Sequence, residues 1–227
     1  MKARDIMTCH AISIGPDLPI QAVANTLVKN GISAVPVVGL NGKLLGIVSE
    51  GDLMRRVEND TSRRRSWWLE MLSSGQSLAE EFVKSHGLKA KDVMTTNVVT
   101  ATPEASLREI ADKMEKHGVK RLPIVEGGQV IGIVSRANLV QAIASGVAEN
   151  LTQGADEGLR QSIVTQLREK PWGHGMVNVI VRDGRVNLWG VVDSEEEKKA
   201  VRIAAERTAQ GAVVNDNLRV YHLSTWT

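Results

Sequence analysis

Ser49-Glu50-Gly51-Asp52, following the apolar run Leu44-Leu45-Gly46-Ile47-Val48, has the residue types and spacing to hold a small ligand. The segment falls where a strand should pass into a helix. A carboxylate there can accept hydrogen bonds from both hydroxyls of a ribose, and the amides of a helix N-terminus favour a nearby phosphate. The same residues also make a plain helix cap, with Ser49 as N-cap and Asp52 three positions on, interacting favourably with the helix dipole. The pattern returns as Ser135-Arg136-Ala137-Asn138, in which the acid has become an amide. Asn still accepts a hydrogen bond but offers no charged, two-oxygen acceptor for a diol. The two corners are therefore expected to be unequal.

Both corners close one duplicated pattern, residues 3–57 and 90–143. Ala3-Arg4-Asp5-Ile6-Met7-Thr8 returns as Ala90-Lys91-Asp92-Val93-Met94-Thr95, and Gly31-Ile32-Ser33-Ala34-Val35-Pro36-Val37-Val38 as Gly118-Val119-Lys120-Arg121-Leu122-Pro123-Ile124-Val125. Gly46-Ile47-Val48-Ser49 returns as Gly132-Ile133-Val134-Ser135. A duplicated unit of this size predicts two half-cores about a pseudo-twofold axis with a symmetric cleft between them. Such clefts bind ligands. In the first copy Ile20, Val23, Ala24, Leu27 and Val28 form the stripe of a helix with one buried face, stopped at Gly31. Leu107, Ile110, Ala111 and Met114 repeat it, with Ser106 and Glu109 as a capping box and Gly118 as the stop. Val35–Val38 and Leu44–Val48 read as strands around the Asn41-Gly42 turn. A helix is expected from about Gly51 to Val57, giving each copy a βαββα order.

Residues 58–89 read as a helical insertion between the copies, broken near Ser73-Ser74-Gly75. Residues 146–155 read as a linker. From 156 to 222 the periodicity changes. Leu159, Ile163 and Leu167 suggest a helix, and Val177-Val179-Val181 and Val186-Leu188 alternate as strands around an Asp183-Gly184 hairpin. Ser194–Gln210 reads as a helix with a Ser194/Glu197 capping box, and Val213, Val214, Leu218 and Val220 supply a last strand. The resulting αββαβ unit is a small sheet with helices on one face. The whole chain is thus α+β, with two domains joined by the linker: residues 1–145 and 156–222.

Bulk properties exclude several function classes. The 227 residues carry 28 basic and 26 acidic side chains, net +2, which is too balanced to make nucleic acid an expected partner. Cys9, the single cysteine, cannot form an intrachain disulfide. No secretory apolar run follows the N-terminus and no stretch approaches the roughly 20 apolar residues of a spanning helix, so a cytoplasmic setting is expected. The five histidines are dispersed without ligand spacing, and no metal site is expected. There is no Gly-x-Ser-x-Gly elbow, phosphate loop, His-Glu-x-x-His or Gly-x-Gly-x-x-Gly, so no catalytic residue is assigned and an enzyme is not expected.

The Met-Thr opening, Gly-x-x-x-x-Pro centre and Gly-Ile-Val-Ser-x-x-(Asp/Asn)-Leu end resemble the tandem CBS domain pair, named after cystathionine beta-synthase. Val179-Ile180-Val181-Arg182-Asp183-Gly184-Arg185-Val186-Asn187-Leu188-Trp189-Gly190-Val191-Val192-Asp193-Ser194 resembles a BON domain. The first resemblance implies a regulatory module binding AMP, ADP, ATP or S-adenosylmethionine, with no required cofactor. It also implies a homodimer. The second implies attachment to phospholipid or protein, and so a membrane-peripheral location as one option.

Carried over from the CBS family, one site combines Ser49 and Asp52 with Asn97, Val98, Lys120, Arg121, Leu122 and Pro123. A second, less charged site combines Ser135 and Asn138 with His10, Ala11, Ile12, Ser33, Ala34, Val35 and Pro36. Only the first has both a ribose acceptor and two cations, although Lys120-Arg121 equally suits a solvated pair at a helix exit. In the BON-like unit, Trp172, Arg182, Arg185 and Trp189 are candidates for a membrane or partner surface; the parity of Trp189 turns it away from the face of Val186 and Leu188. Packing beneath the second helix is the other reading of Trp189. Arg63-Arg64-Arg65-Ser66-Trp67-Trp68 could touch lipid or pack the insertion against the repeats. The expected function is a sensor coupling adenosyl-ligand occupancy to BON-mediated attachment. The alternative is a scaffold or stress adaptor whose clefts stay empty.

Overall fold

The structure is a computed structural model that describes residues 1–9, 11–54, 87–146, 153–170, 172 and 176–220. The expected insertion and the Arg63–Trp68 cluster lie almost wholly outside these residues, as does His10. Along the chain the elements are α1 (Ala3–Ile6), β1 (Thr8–Cys9), α2 (Ile20–Lys29), β2 (Ala34–Val38), β3 (Leu44–Ser49), α3 (Glu50–Leu53), α4 (Ala90–Val93), α5 (Leu107–Lys116), β4 (Arg121–Glu126), β5 (Gln129–Ser135), α6 (Arg136–Ala144), α7 (Gln153–Arg168), β6 (Met176–Arg182), β7 (Arg185–Val192), α8 (Glu195–Ala209) and β8 (Val214–Val220). The fold is α+β, as the sequence predicts. The chain forms two compact units: residues 11–98 with 125–130, and residues 1–10, 99–124 and 131–227.

The first unit holds the core of repeat one, in which Ile14, Ile20, Val23, Leu27, Val35, Val37 and Val48 pack together with Ala90 and Val93. The last two belong to the start of repeat two. Antiparallel β2 and β3 present Val35, Val37 and Val48 to this core, with Ala34 opposite Ser49 and Val37 opposite Gly46. Val28, placed by its spacing on the buried stripe of α2, is 76% exposed. The stripe closes one residue earlier, at Leu27, because Gly31 in the left-handed region (φ 60°) turns the chain away soon after the helix. Ala111, placed by its spacing on the buried stripe of α5, is also exposed.

The second unit contains the core of repeat two. Ile110, Met114, Leu122, Ile124, Val134 and Ala142 are joined there by Ala3, Ile6 and Met7 from the start of repeat one. Each half-core is thus completed by the opening arm of the other copy. The arms dock by the same bonds: Ala3 N–H donates to Ala105 O (2.8 Å) and Ala90 N–H to Leu18 O (2.9 Å). Acids flank both: Glu104 pairs with Lys2 and Arg4, and Asp17 with Lys89 (3.1 Å) and Lys91 (2.9 Å). Those two ammonium groups hold the Asp17 carboxyl below the ordinary range, and Asp17 in turn raises Lys91. Ser106 and Glu109 form the capping box of α5, with Glu109 N–H to Ser106 Oγ at 3.2 Å and Ser106 N–H to Glu109 Oε2 at 2.7 Å. The Ser106 amide, followed by its hydroxyl, holds the Glu109 carboxyl low.

The C-terminal domain, in the same unit, is an αββαβ structure with sheet order β6-β7-β8, β7 antiparallel to β6 and parallel to β8. Its core comprises Ile163, Leu167, Val179, Val181, Val186, Leu188, Val192, Val201, Ala205 and Leu218. Asp183 (φ 47°) and Gly184 (φ 71°) are both left-handed, as a two-residue primed turn requires. Asp156 on α7 accepts both of their amides, at 2.7 and 3.0 Å. Three local details differ from expectation. Helix α7 begins at Gln153, inside the stretch read as linker; β7 runs on past Leu188 to Val192; and α8 ends at Ala209, with Gln210, the last residue of the expected helix, in the left-handed region. Glu197 accepts the amide of Asp193 (2.8 Å), one residue before the capping Ser194, whose Oγ accepts Glu197 N–H at 3.1 Å.

Candidate functional site

Strand β3 delivers Ser49 to the start of α3, where the chain turns into helix and leaves its first amides without helical partners. Asp52 folds back over this start. Its Oδ2 accepts the Ser49 amide at 2.9 Å and the Ser49 hydroxyl at 2.7 Å. Ser33, two residues before β2 becomes apolar at Val35, lies alongside: its carbonyl accepts Glu50 N–H at 3.0 Å, and Ala34 is opposite Ser49. The arm of repeat two runs past the same strand, with Thr95 and Ile47 exchanging backbone hydrogen bonds (Thr95 N–H to Ile47 O 2.9 Å; Ile47 N–H to Thr95 O 3.0 Å). Among the candidate residues, this unit brings Ser33, Ala34, Ser49 and Asp52 together. Asn97 is exposed and Val98 half-buried further along the arm.

The Ser135–Asn138 corner repeats the geometry in the other unit. Asn138 Oδ1 accepts the Ser135 amide and hydroxyl, both at 2.7 Å, and Asn138 N–H donates to Ser135 Oγ at 3.4 Å. Here the corner side chain is buried, 4% exposed, whereas Asp52 is half-exposed. Asn138 Nδ2 points to Thr8 Oγ1 at 3.5 Å. Lys120 is next to this corner, its carbonyl accepting Arg136 N–H at 3.1 Å, with Arg121, Leu122 and Pro123 continuing into β4. Leu122 and Pro123 are buried, and Lys120 is exposed. In each unit, then, the segment before the central proline neighbours the corner of its own copy, and the opening arm of the other copy runs beside it. Thr8 and Thr95 were missed as candidate site residues. Their only sequence signal was the repeated Met-Thr dipeptide.

A Cβ on Gly46 would meet Met94 Sδ at 2.6 Å and Thr95 O at 2.9 Å; on Gly132 it would meet Met7 Sδ at 2.7 Å and Thr8 O at 2.9 Å. The glycine of each Gly-Ile-Val-Ser is therefore what lets the exchanged arm lie against the strand. Family models of the CBS domain match residues 3–59 and 90–145, and that of the BON domain matches residues 155–221. The uncharacterized protein MJ1426 of Methanocaldococcus jannaschii is 34% identical over 154 residues, covering 63% of this chain and 91% of that protein. The chain belongs to the CBS-domain family and carries a C-terminal BON domain. The CBS pair resembles the crystal structure of CBSX2 in complex with AMP, with 25% identity, a TM-score of 0.56, and coverage of 65% of this chain and 99% of that one. It also shares the fold of the CBS pair of protein MJ0100, solved with 5′-methylthioadenosine and S-adenosyl-L-methionine, at 22% identity, TM-score 0.50, and coverage of 65% and 98%.

The BON candidates separate. Trp172 packs against the BON core, and Arg185 is exposed beside the hairpin. Arg182 Nε donates to Asp183 Oδ2 at 3.2 Å. Trp189 is half-buried on the opposite face from Val186 and Leu188, its indole N–H donating to Ser145 Oγ at 3.3 Å. Among the described residues no cluster of His, Cys, Asp and Glu could hold a metal ion, and no helix is long and apolar enough to cross a membrane.

Proposed function

We propose that the CBS pair is a regulatory sensor for an adenosyl ligand, AMP, ADP, ATP or S-adenosylmethionine, and that its occupancy governs attachment of the BON domain to a membrane or protein. The observation that carries this reading is the half-exposed Asp52 carboxylate at the end of β3, beside Ser33 and Ala34 and with its Ser49 bonds both on Oδ2. A carboxylate so placed retains lone pairs for a ribose diol. The likeness to a CBS protein crystallised with AMP supports the choice of ligand class. Asn138, buried and an amide, makes the second corner the weaker one. Lys120 and Arg121 are proposed to serve phosphate, and a homodimer is part of the same reading. Regulation requires that ligand favour one arrangement of the pair over another, since equal affinity shifts nothing.

The reciprocal Ser49–Asp52 bonds also suit a scaffold in which Asp52 only caps α3. Calorimetric titration with the four ligands, on the wild type and Asp52→Ala, separates the two. A cap alone predicts a loss of about 1 kcal/mol of stability with or without nucleotide. A ribose acceptor predicts saturable binding that disappears in the variant. No heat from any ligand, in folded and ligand-free protein, favours the scaffold.

A further inference from the structure

Strand β6 is an edge of the BON sheet, paired with β7 on one side only, so its outer row of backbone groups needs another partner. Arg160 of α7 supplies one and is itself only 5% exposed. Its Nε–H donates to Val179 O of β6 at 2.8 Å, and its Nη2 to Met7 O at 2.9 Å, with Cys9 Sγ 3.5 Å from the same nitrogen. One guanidinium thus joins a carbonyl of the BON domain to a carbonyl of the arm that completes CBS repeat two. Among the described residues no carboxylate pairs with it. A buried charge satisfied by two backbone carbonyls and a thiol sulfur, with no carboxylate, depends on both backbones keeping their places.

The surrounding contacts are polar. Asn178 Nδ2 donates to Gln141 Oε1 at 3.0 Å, Trp189 to Ser145, and Arg4 Nη1 to Glu157 Oε1 at 2.9 Å. Ile180 is fully buried yet stands outside the BON core, and β6 packs against α1 and β1. A contact made of scattered hydrogen bonds around one apolar residue has the character of a separable domain interface rather than of a continuous core.

We propose that this contact is a releasable intramolecular latch: CBS repeat two covers the BON sheet face bearing Asn178, Ile180 and Trp189, and Arg160 fastens it. The occupant of the face is the chain's own second repeat, so any outside partner of that face must first displace it. Strand β1 and the residue before it connect the latch to the Asn138 corner, since the Thr8 hydroxyl meets Asn138 while the Met7 carbonyl and the Cys9 sulfur meet Arg160. The latch itself does not depend on the proposed ligand.

Hydrogen exchange with mass spectrometry on the full chain tests it, comparing the wild type with Gln141→Arg, which alters only the repeat-two side, and Arg160→Met. The latch predicts that in the wild type residues 176–182 exchange faster than residues 200–209 of α8, because release needs no unfolding of the BON core. Both variants should accelerate 176–182 by roughly tenfold or more and leave 200–209 unchanged. Should Arg160→Met accelerate both segments, that variant has lost the BON fold and Gln141→Arg decides alone. The proposal is overturned if Gln141→Arg leaves 176–182 unchanged, or if 176–182 in the wild type exchanges only as slowly as 200–209.

Discussion

Gly132 and Met7 stand so close that a Cβ on the glycine would lie 2.7 Å from the Met7 sulfur. The backbone oxygen of Thr8, at 2.9 Å from the same point, cannot swing aside as a side chain can. Gly132→Ala is therefore expected to cost about 1–3 kcal/mol through overpacking. Gly158→Ala, in mid-helix on α7 with nothing within 4 Å of its Cβ, should instead stabilise by up to ~1 kcal/mol. Urea unfolding of the two variants checks the pair, and a common direction of shift would refute the packing explanation.

Asp17 ties α4 to repeat one through Lys89 and Lys91, and its carboxyl is held low by them. A folded value below the unfolded one means the stabilisation is full above the ordinary Asp value of about 3.9 and is lost as pH falls below it. Asp17→Asn should thus lower the midpoint of thermal unfolding at pH 7, with the difference from wild type closing in acid and shrinking in high salt. A difference that persists unchanged in acid would rule out the ion pairs as its source.

The BON hairpin depends on Asp156, whose two oxygens accept the amides of Asp183 and Gly184. Asp156→Ala should destabilise the BON domain by about 1–2 kcal/mol, with faster amide exchange concentrated at residues 182–185. Exchange spread evenly over the domain would argue against so local a role.

Ile110 and Val28 are both placed by periodicity on the buried stripes of two matching helices but have opposite fates. Ile110 is fully buried, and Ile110→Ala should cost about 2–5 kcal/mol. Val28 is exposed, and Val28→Ala should change stability by no more than about 0.5 kcal/mol. Denaturant midpoints distinguish them directly.

That pair also marks the limit of sequence legibility. Periodicity identified α2 and α5, and the Ser106/Glu109 box and the Asp183-Gly184 turn were readable because their chemistry is local. The far edge of a buried stripe is set by what packs against it, so Val28 and Ala111 misled. The exchange of arms was hidden for the same reason: Ala3, Ile6 and Met7 look apolar in any context, and nothing in their spacing says which core they enter. At the corners, the Ser49–Asp52 and Ser135–Asn138 spacing was visible. The burial of Asn138 and the approach of Thr8 depend on a neighbour 130 positions away. Arg160 gave no signal at all, because an arginine on an amphipathic helix is ordinarily a solvated one.

The exchanged arms also set an order of events during synthesis. Met7 is made early, but Val134, with which it shares a core, follows 127 residues later. At bacterial-to-eukaryotic elongation rates of about 5–20 residues per second, that interval is roughly 6–25 s. Residues 14–48 likewise wait for Ala90 and Val93. Throughout that time the nascent chain carries apolar strands with no finished core to enter, and repeat one must remain open until its plug emerges from the ribosome.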